Sequence, residues 1–377
     1  MFSVKVHQEA LHAALAAAGR AIAGNPHHPV LGAVLLSASN GALKATGYDL
    51  RVGIRAAFGA LVEADGEVLA PYRLLHELVG KLPPVEVELE ASADEATLAL
   101  RCGASEYAIP LDSELVVSDY PALPEASITG AFSLIVQTAD LLAATRRVSA
   151  SVPRAEQGVR QPELHGVGMK WLDGVLRLTG GDGGQFLVSA ITAEAHPNSA
   201  LDIVLPIEAV RDLAVLSGGI EESELWVSDG RLHVAAGAIR FSANILTGTY
   251  PPIERILPTE YARKWSVERD LLKAAVDRLS VFSAIGAEAI HVDATEDSLT
   301  LTLSAAAAGS EVVPVAEGPT EPFRIAYLTR RLSDVVRSTT GKMITLEANE
   351  PMACTYFHGE NEADQAFLMP CAVRGAE

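Results

Sequence analysis

The sequence predicts an α+β protein of three similar domains, each with two helices and antiparallel sheets. Two observations carry this. A helix, hairpin, helix and three-strand order recurs three times along the chain, and a Tyr-Pro joint recurs between the copies. The length agrees. At roughly 150 residues per domain, 377 residues hold two or three domains rather than one.

The hairpins are the clearest repeat. GAVLLSASNGALKATGYDL runs from Gly32 to Leu50, GVGMKWLDGVLRLTGGDGG from Gly166 to Gly184, and AIHVDATEDSLTLTLSAAAAG from Ala289 to Gly309. Each is a strand, a polar turn and a second alternating strand, with Asn40-Gly41, Asp173-Gly174 and Asp297-Ser298 at the turns. Thr46, Thr179 and Thr302 fall at matching places in the second strands. A helix precedes each hairpin, starting near Glu9, Asp140 and Asp270. Its apolar residues recur at helical spacing, as in Leu11, Leu15, Ala18 and Ile22. A second helix follows, from Ala70, Leu205 and Tyr327. Three strand-like runs close each copy, such as VEVELEA, TLALRC and SEYAIPL in the first. Tyr120-Pro121 and Tyr250-Pro251 are each followed by Leu-Pro, and proline cannot continue a ladder. Reading these joints as linkers gives domains 1–127, 128–258 and 259–377.

Composition narrows the function. Hydrophobic residues make up 49% and charged residues 20%, enough apolar side chain for a folded core. No apolar run reaches the roughly 18 residues of a membrane span, and the N-terminus lacks the pattern of a signal peptide. Cys102, Cys354 and Cys371 are far apart with no CxxC. That pattern fits a reducing cytosol and argues against a disulfide framework or a cysteine zinc site. A cytoplasmic location is expected.

Net charge is −19, which for an even distribution would repel nucleic acid. The distribution is not even. The six predicted helices sum to +4, so the rest of the chain carries −23. The helix cations that are candidates to meet phosphate are Arg20, Arg73, Lys81, Arg146, Arg147, Arg154, Arg211, Lys273, Arg330, Arg331 and Arg337. Arg330 and Arg337, and likewise Arg147 and Arg154, are seven apart and share a helix face. These are either solvated faces opposite a core, or equivalent helices lining one surface that meets a phosphate backbone while an acidic exterior repels it. The threefold repeat favours the second.

At this point the chain resembles a known family, the bacterial DNA polymerase III beta subunit, or replication sliding clamp. The resemblance rests on NPHHPVLGAVLL (Asn25–Leu36), TGYDLRVGI (Thr46–Ile54), LTGGDGGQF (Leu178–Phe186), TYPPIERILP (Thr249–Pro258), FRIAYLTRRLSDVV (Phe323–Val336) and FLMP (Phe367–Pro370). It spans the whole chain. It implies a ring of two chains meeting head to tail, helices lining the hole, and duplex DNA passing through without sequence readout. It implies an accessory protein with no catalytic residues and no cofactor. Expected partners are duplex DNA, the DNA polymerase III alpha subunit, the clamp loader and other clamp-binding proteins. It also implies a hydrophobic pocket for short linear peptides, carried here by Leu164, Gly181, Gly183, Gly184, Gln185, Phe186, Pro251, Arg255, Ile256, Phe367, Leu368, Met369, Pro370 and Cys371. Methionine and aliphatic residues suit a groove that accepts several partners.

The sequence departs from the family's pattern at specific places. After Asp182 the family carries a bulky residue and an arginine, where this chain has Gly184 and Gln185. Asn25 and Gln161 stand where arginines usually precede proline. The end continues as CAVRGAE beyond Met-Pro, displacing Arg374. These departures imply altered peptide affinity and fewer phosphate contacts. The alternative reading is a diverged clamp paralogue, a protein-binding or inhibitor-resistance copy with little DNA role.

Other constellations are weak. Gly180–Gly184 lacks the spacing of a phosphate-binding loop and reads as a flexible strand end. Adjacent His27 and His28 cannot easily share one metal ion. No GxSxG elbow is present. Glu86, Glu88 and Glu90 alternate on a strand and read as one solvated acidic face.

Overall fold

The computed structural model describes residues 2–91, 96–124, 133–153, 161–195, 201–216, 220–255, 257–282, 289–303 and 309–372. Six α-helices lie among them: α1 (Gln8–Gly19), α2 (Tyr72–Val79), α3 (Thr138–Ser149), α4 (Ile207–Leu213), α5 (Arg269–Ser280) and α6 (Thr329–Ser338). They come as one pair per sequence repeat, within a few residues of the expected starts. The strands are antiparallel throughout, so the chain is α+β as expected.

Contacts gather the chain into two compact units. One holds Met1–Ala139 and Asp212–Ile245, and the other holds Asp140–Ala193, Ala200–Arg211 and the chain from Leu246 onward. The cut crosses the second repeat because backbone ladders join segments remote in sequence. In the first unit, Ile239–Asn244 pairs with Val52–Gly59, with Phe241 opposite Ile54. In the second, Gln185–Ala195 pairs with Asp364–Leu368, with Phe186 opposite Phe367.

The first unit has two sheets. The smaller orders Leu61–Ala64, Phe2–His7, Glu86–Ala91, Thr97–Cys102 and Ser105–Pro110. Alternation sets its faces: Val87, Leu89 and Ala91 are buried while Glu86, Glu88 and Glu90 point outward. Arg101 meets Glu90 at 2.8 Å and Lys5 meets Glu88 at 3.8 Å, so this acidic row is a solvated, cross-strand-paired face. The larger sheet runs from Ser133–Gln137 through the strands 222–244 to the first hairpin and Gly66–Pro71. In the second unit one continuous ladder runs from Leu201–Pro206 through the second hairpin to Gln185–Ala195, then Asp364–Leu368, Thr355–His358, Met343–Ala348 and Arg263–Glu268. It continues through Ser310–Glu317 and Ser298–Leu303 to Ala289–Ala294 and Phe323–Leu328.

Three strand types were not singled out in the sequence. One precedes each repeat's first helix (Phe2–His7, Ser133–Gln137, Arg263–Glu268), one extends each hairpin (Val52–Gly59, Gln185–Ala195, Ser310–Glu317), and one leads into each second helix. Gln185–Ala195 shows why. Its first five residues are all buried, so it has no polar–apolar alternation to read. The Tyr-Pro joints also differ from spacers. Tyr120 is buried among Val30, Leu31, Tyr48, Leu69 and Leu123, and its hydroxyl donates to the Thr46 carbonyl at 3.2 Å.

Helix and hairpin meet at a glycine in both of the first two repeats. A Cβ on Gly47 would lie 2.0 Å from the Ala18 carbonyl oxygen, and one on Gly180 would lie 2.3 Å from that of Val148. Backbone cannot yield as a flexible side chain does. Gly47→Ala and Gly180→Ala are each expected to lower stability by about 1–3 kcal/mol in urea unfolding. Gly59→Ala, with open space around it, is expected to change stability by much less.

Candidate peptide groove and helix cations

The residues expected to form the pocket converge in the second unit. Strand pairing sets Gln185 opposite Leu368 and Phe186 opposite Phe367. The Met369 N–H donates to the Gly184 carbonyl at 2.8 Å, and the Cys371 N–H donates to the Ala326 carbonyl at 2.8 Å. Leu164 enters from a 3₁₀ turn, Pro162–His165, and packs with Phe186, Val188, Ile253, Cys354 and Phe367. Tyr250, Leu257 and Tyr356 pack on this cluster. Leu164, Phe186, Phe367 and Leu368 are buried, whereas Met369 and Arg255 are exposed, and Pro251, Pro370 and Cys371 are half-buried. A Cβ on Gly181 would lie 2.2 Å from the Phe186 ring, so this glycine lets the aromatic lie flat against the strand. Ile256 lies outside the described residues.

The Gly180–Gly184 run is a tied turn rather than a flexible end. Asp182 Oδ1 accepts from the N–H groups of Gly184 at 2.9 Å and Gln185 at 3.0 Å, and the Asp182 N–H donates to the Gln185 carbonyl at 3.2 Å. Gly183 supplies the left-handed corner at φ +86°. The second oxygen of Asp182 accepts from Arg331 Nε at 3.0 Å.

This ion pair changes the meaning of Gly184. A Cβ there would fall 2.0 Å from an Arg331 terminal nitrogen. The space that a side chain at position 184 would need is taken by a guanidinium from α6. Arg331 was expected among the DNA-facing cations. Here it lies against the turn with 27% of its side chain exposed. Gln185 is 2% exposed. Its Nε2 donates to Asp334 at 3.3 Å and its Oε1 is buried without a partner among the described residues. Burial raises the pKa of Asp334, and the Gln185 hydrogen bond and Arg330 pull the other way. Burial likewise pushes the Cys354 thiol up to about 11, consistent with an inert packing role.

The other cations divide by environment. Arg73, Lys81, Arg146 and Arg211 are exposed. Arg20 pairs with Asp212 at 3.1 Å, Lys273 with Asp277 at 3.0 Å, Arg337 with Asp277 at 2.7 Å, and Arg330 with Asp334 at 3.9 Å. Burial raises the pKa of Asp277, but hydrogen bonds from Lys273 and Arg337 outweigh it and hold the group below the ordinary aspartate range. Arg147 is different. Its side chain is 8% exposed and donates to the carbonyls of Ser338 at 2.8 Å, Val188 at 2.6 Å and Gln365 at 3.0 Å, with Asp364 at 3.7 Å. It ties α3 to α6 and two strands. Arg146, Arg147 and Arg337 share one cavity of about 600 Å³. Arg154 lies outside the described residues.

Residues 2–124 match the DNA polymerase III beta subunit, N-terminal domain, and residues 254–371 match its C-terminal domain. The beta sliding clamp of Synechococcus elongatus is 30% identical over 355 residues, covering 91% of this chain and 92% of that protein. This chain belongs to the bacterial beta sliding clamp family. A beta sliding clamp homolog from Streptomyces muensis, GriR, is 27% identical over 285 residues, covering 74% of this chain and 72% of that protein. Among solved structures, the DNA polymerase sliding clamp of Bacillus subtilis matches with a TM-score of 0.88 at 19% identity, over 99% of both chains. A sliding clamp of Pseudomonas aeruginosa bound to griselimycin matches with a TM-score of 0.88 at 21% identity, over 99% of this chain and all of that one.

The cluster around Leu164, Phe186 and Phe367 also holds Val188, Tyr250, Ile253, Leu257, Cys354 and Tyr356, and Asp182 closes the adjoining turn; none of these seven is among the residues expected from the sequence. Asp182 and Tyr250 were legible as a turn and a joint, but their packing depends on strands far away in sequence. Two outcomes follow from the turn and the tie. Gly184→His is expected to destabilise the clamp by about 1–3 kcal/mol through overpacking against Arg331, and Gly184→His with Arg331→Val to recover most of that in urea unfolding. Arg147→Leu is expected to cost about 3 kcal/mol, because three carbonyls and Asp364 lose a buried partner.

Proposed function

We propose that this clamp-family protein closes with a second copy, head to tail, into a ring around duplex DNA and tethers other proteins to it. The whole-length likeness to beta sliding clamps carries this reading. Each chain would contribute three domains, 1–127, 128–258 and 259–377. The six helices would line the hole with Arg73, Lys81, Arg146 and Arg211 open to phosphates. Arg20, Lys273, Arg330 and Arg337 would be partly neutralised by their own acids. Arg147 and Arg331 would serve the fold and the groove instead. Such a lining holds DNA weakly and without sequence choice, which suits sliding.

The groove of Leu164, Phe186, Met369 and their neighbours would dock short apolar peptides from the DNA polymerase III alpha subunit, the clamp loader and other clamp-binding proteins. The protein would be an accessory subunit in the cytoplasm, without a catalytic site of its own. Among the described residues no helix is long and apolar enough to cross a membrane. A second reading, a diverged copy with a changed peptide preference, is favoured by one observation. Arg331 fills the side-chain space at Gly184, where the resemblance implies a bulky residue.

Retention on nicked circular DNA after loading by the host's loader, and its loss on linearising that DNA, would support a topological ring. Equal retention on both would refute it. Asp277→Asn releases two cations from one acid. It is expected to lengthen retention and to steepen its loss with salt, as added phosphate contacts should. A loaded ring that gives no gain in polymerase processivity would favour the second reading.

A further inference from the structure

The first unit carries a second groove that the clamp reading leaves unused. Its cavity is about 630 Å³ and is lined by Leu31, Leu50 and Val116 together with the exposed Asp112, Glu114 and Asp119. It is built on the same turn as the groove of the second unit. Asp49 Oδ1 accepts from the N–H groups of Arg51 at 2.9 Å and Val52 at 2.6 Å, as Asp182 does from Gly184 and Gln185. The Asp49 N–H donates to the Val52 carbonyl at 3.1 Å, the counterpart of the Asp182 bond to Gln185. Leu31 comes from a 3₁₀ turn, Pro29–Gly32, as Leu164 comes from Pro162–His165. Tyr120 packs beneath, in the position of Tyr250 in the next repeat.

The corner residue marks the difference. Where the second unit has Gly183 at φ +86°, the first has Leu50 at φ +72°. A leucine in this region is costly, and such strain persists where surrounding structure enforces it. Leu50 is 44% exposed and Val116 is 51% exposed, both facing the groove. An aliphatic pair is thus held open to solvent in a cavity that three carboxylates also line.

We propose that this groove docks an extended peptide segment of a partner protein, with one or two large apolar residues flanked by Lys or Arg. The apolar walls take the central side chains, and Asp112, Glu114 and Asp119 select the basic flanks. Nucleic acid is disfavoured by the same three carboxylates.

The test uses the full-length protein and a fluorescein-labelled nonapeptide with Leu and Phe at its centre and two Lys at each end. Its partner probe has Glu in place of each Lys. Anisotropy is expected to show the Lys peptide binding at least tenfold more tightly than the Glu peptide, with affinity falling as salt rises. Leu50→Asp should weaken the Lys peptide at least tenfold while keeping the fold, since aspartate tolerates this backbone better than leucine. Val116→Asp, on a different segment, should do the same. Glu114→Lys with Asp119→Lys should reverse the preference between the two probes. Met369→Asp, on the exposed rim of the other groove, should leave Lys-peptide binding unchanged. Equal binding of the two probes would overturn the proposal, as would unchanged binding in Leu50→Asp and Val116→Asp. A change of oligomeric state in Val116→Asp by sedimentation would assign the face to another copy of this chain and overturn it too.

Discussion

The groove of the second unit depends on one carboxylate. Asp182 closes its turn with one oxygen and holds Arg331 with the other. The turn sets where Gln185–Ala195 begins, and so its register against Asp364–Leu368. That register brings Phe186 opposite Phe367 and allows the Met369 N–H to reach the Gly184 carbonyl. A charge-assisted bond to a guanidinium is stronger than a neutral one, and two backbone donors on one oxygen fix the carboxylate's direction. The apolar residues fill a frame that this polar contact has already placed.

The helices show a different economy of charge. Their sequence sum of +4 suggests an open basic lining, yet several of the cations sit beside acids of the same unit. Exposed pairs of this kind add little to stability. Their larger effect is on the field that a passing polyanion meets, because a paired cation offers only part of its charge. Arg147 lies outside this economy, since a guanidinium with three carbonyl acceptors belongs to the interior.

The repeated features were legible because they are local. Asn40-Gly41 and Asp173-Gly174 mark turns by their own backbone needs, and both take positive φ at each residue. Helix phases follow from apolar spacing, so α1 and α5 began where the sequence placed them. What escaped was non-local. Nothing near Gly184 says that Arg331, 147 positions on, fills its side-chain space. Nothing in the run around Arg147 distinguishes it from Arg146, yet one is buried and the other exposed. Strand pairings decide both, and a single sequence does not state its pairings.

The two Asp-closed turns also show how one backbone plan supports different surfaces. Each is steadied by an arginine from a distant segment: Arg331 at Asp182, and the buried Arg231 at the first turn. Arg231 donates to the Arg51 carbonyl at 3.1 Å and to Ser242 Oγ at 2.8 Å, and lies over the Tyr48 ring. It grips the backbone just past the corner, so Leu50 cannot relax to a cheaper conformation without breaking bonds to a buried cation. At Asp182 the arginine instead takes the carboxylate, and the corner is a glycine that needs no such restraint. Where the guanidinium lands therefore decides which unit can keep a large side chain at the corner. In the first unit a leucine faces its groove. In the second, the floor is left to Phe186 and Leu164.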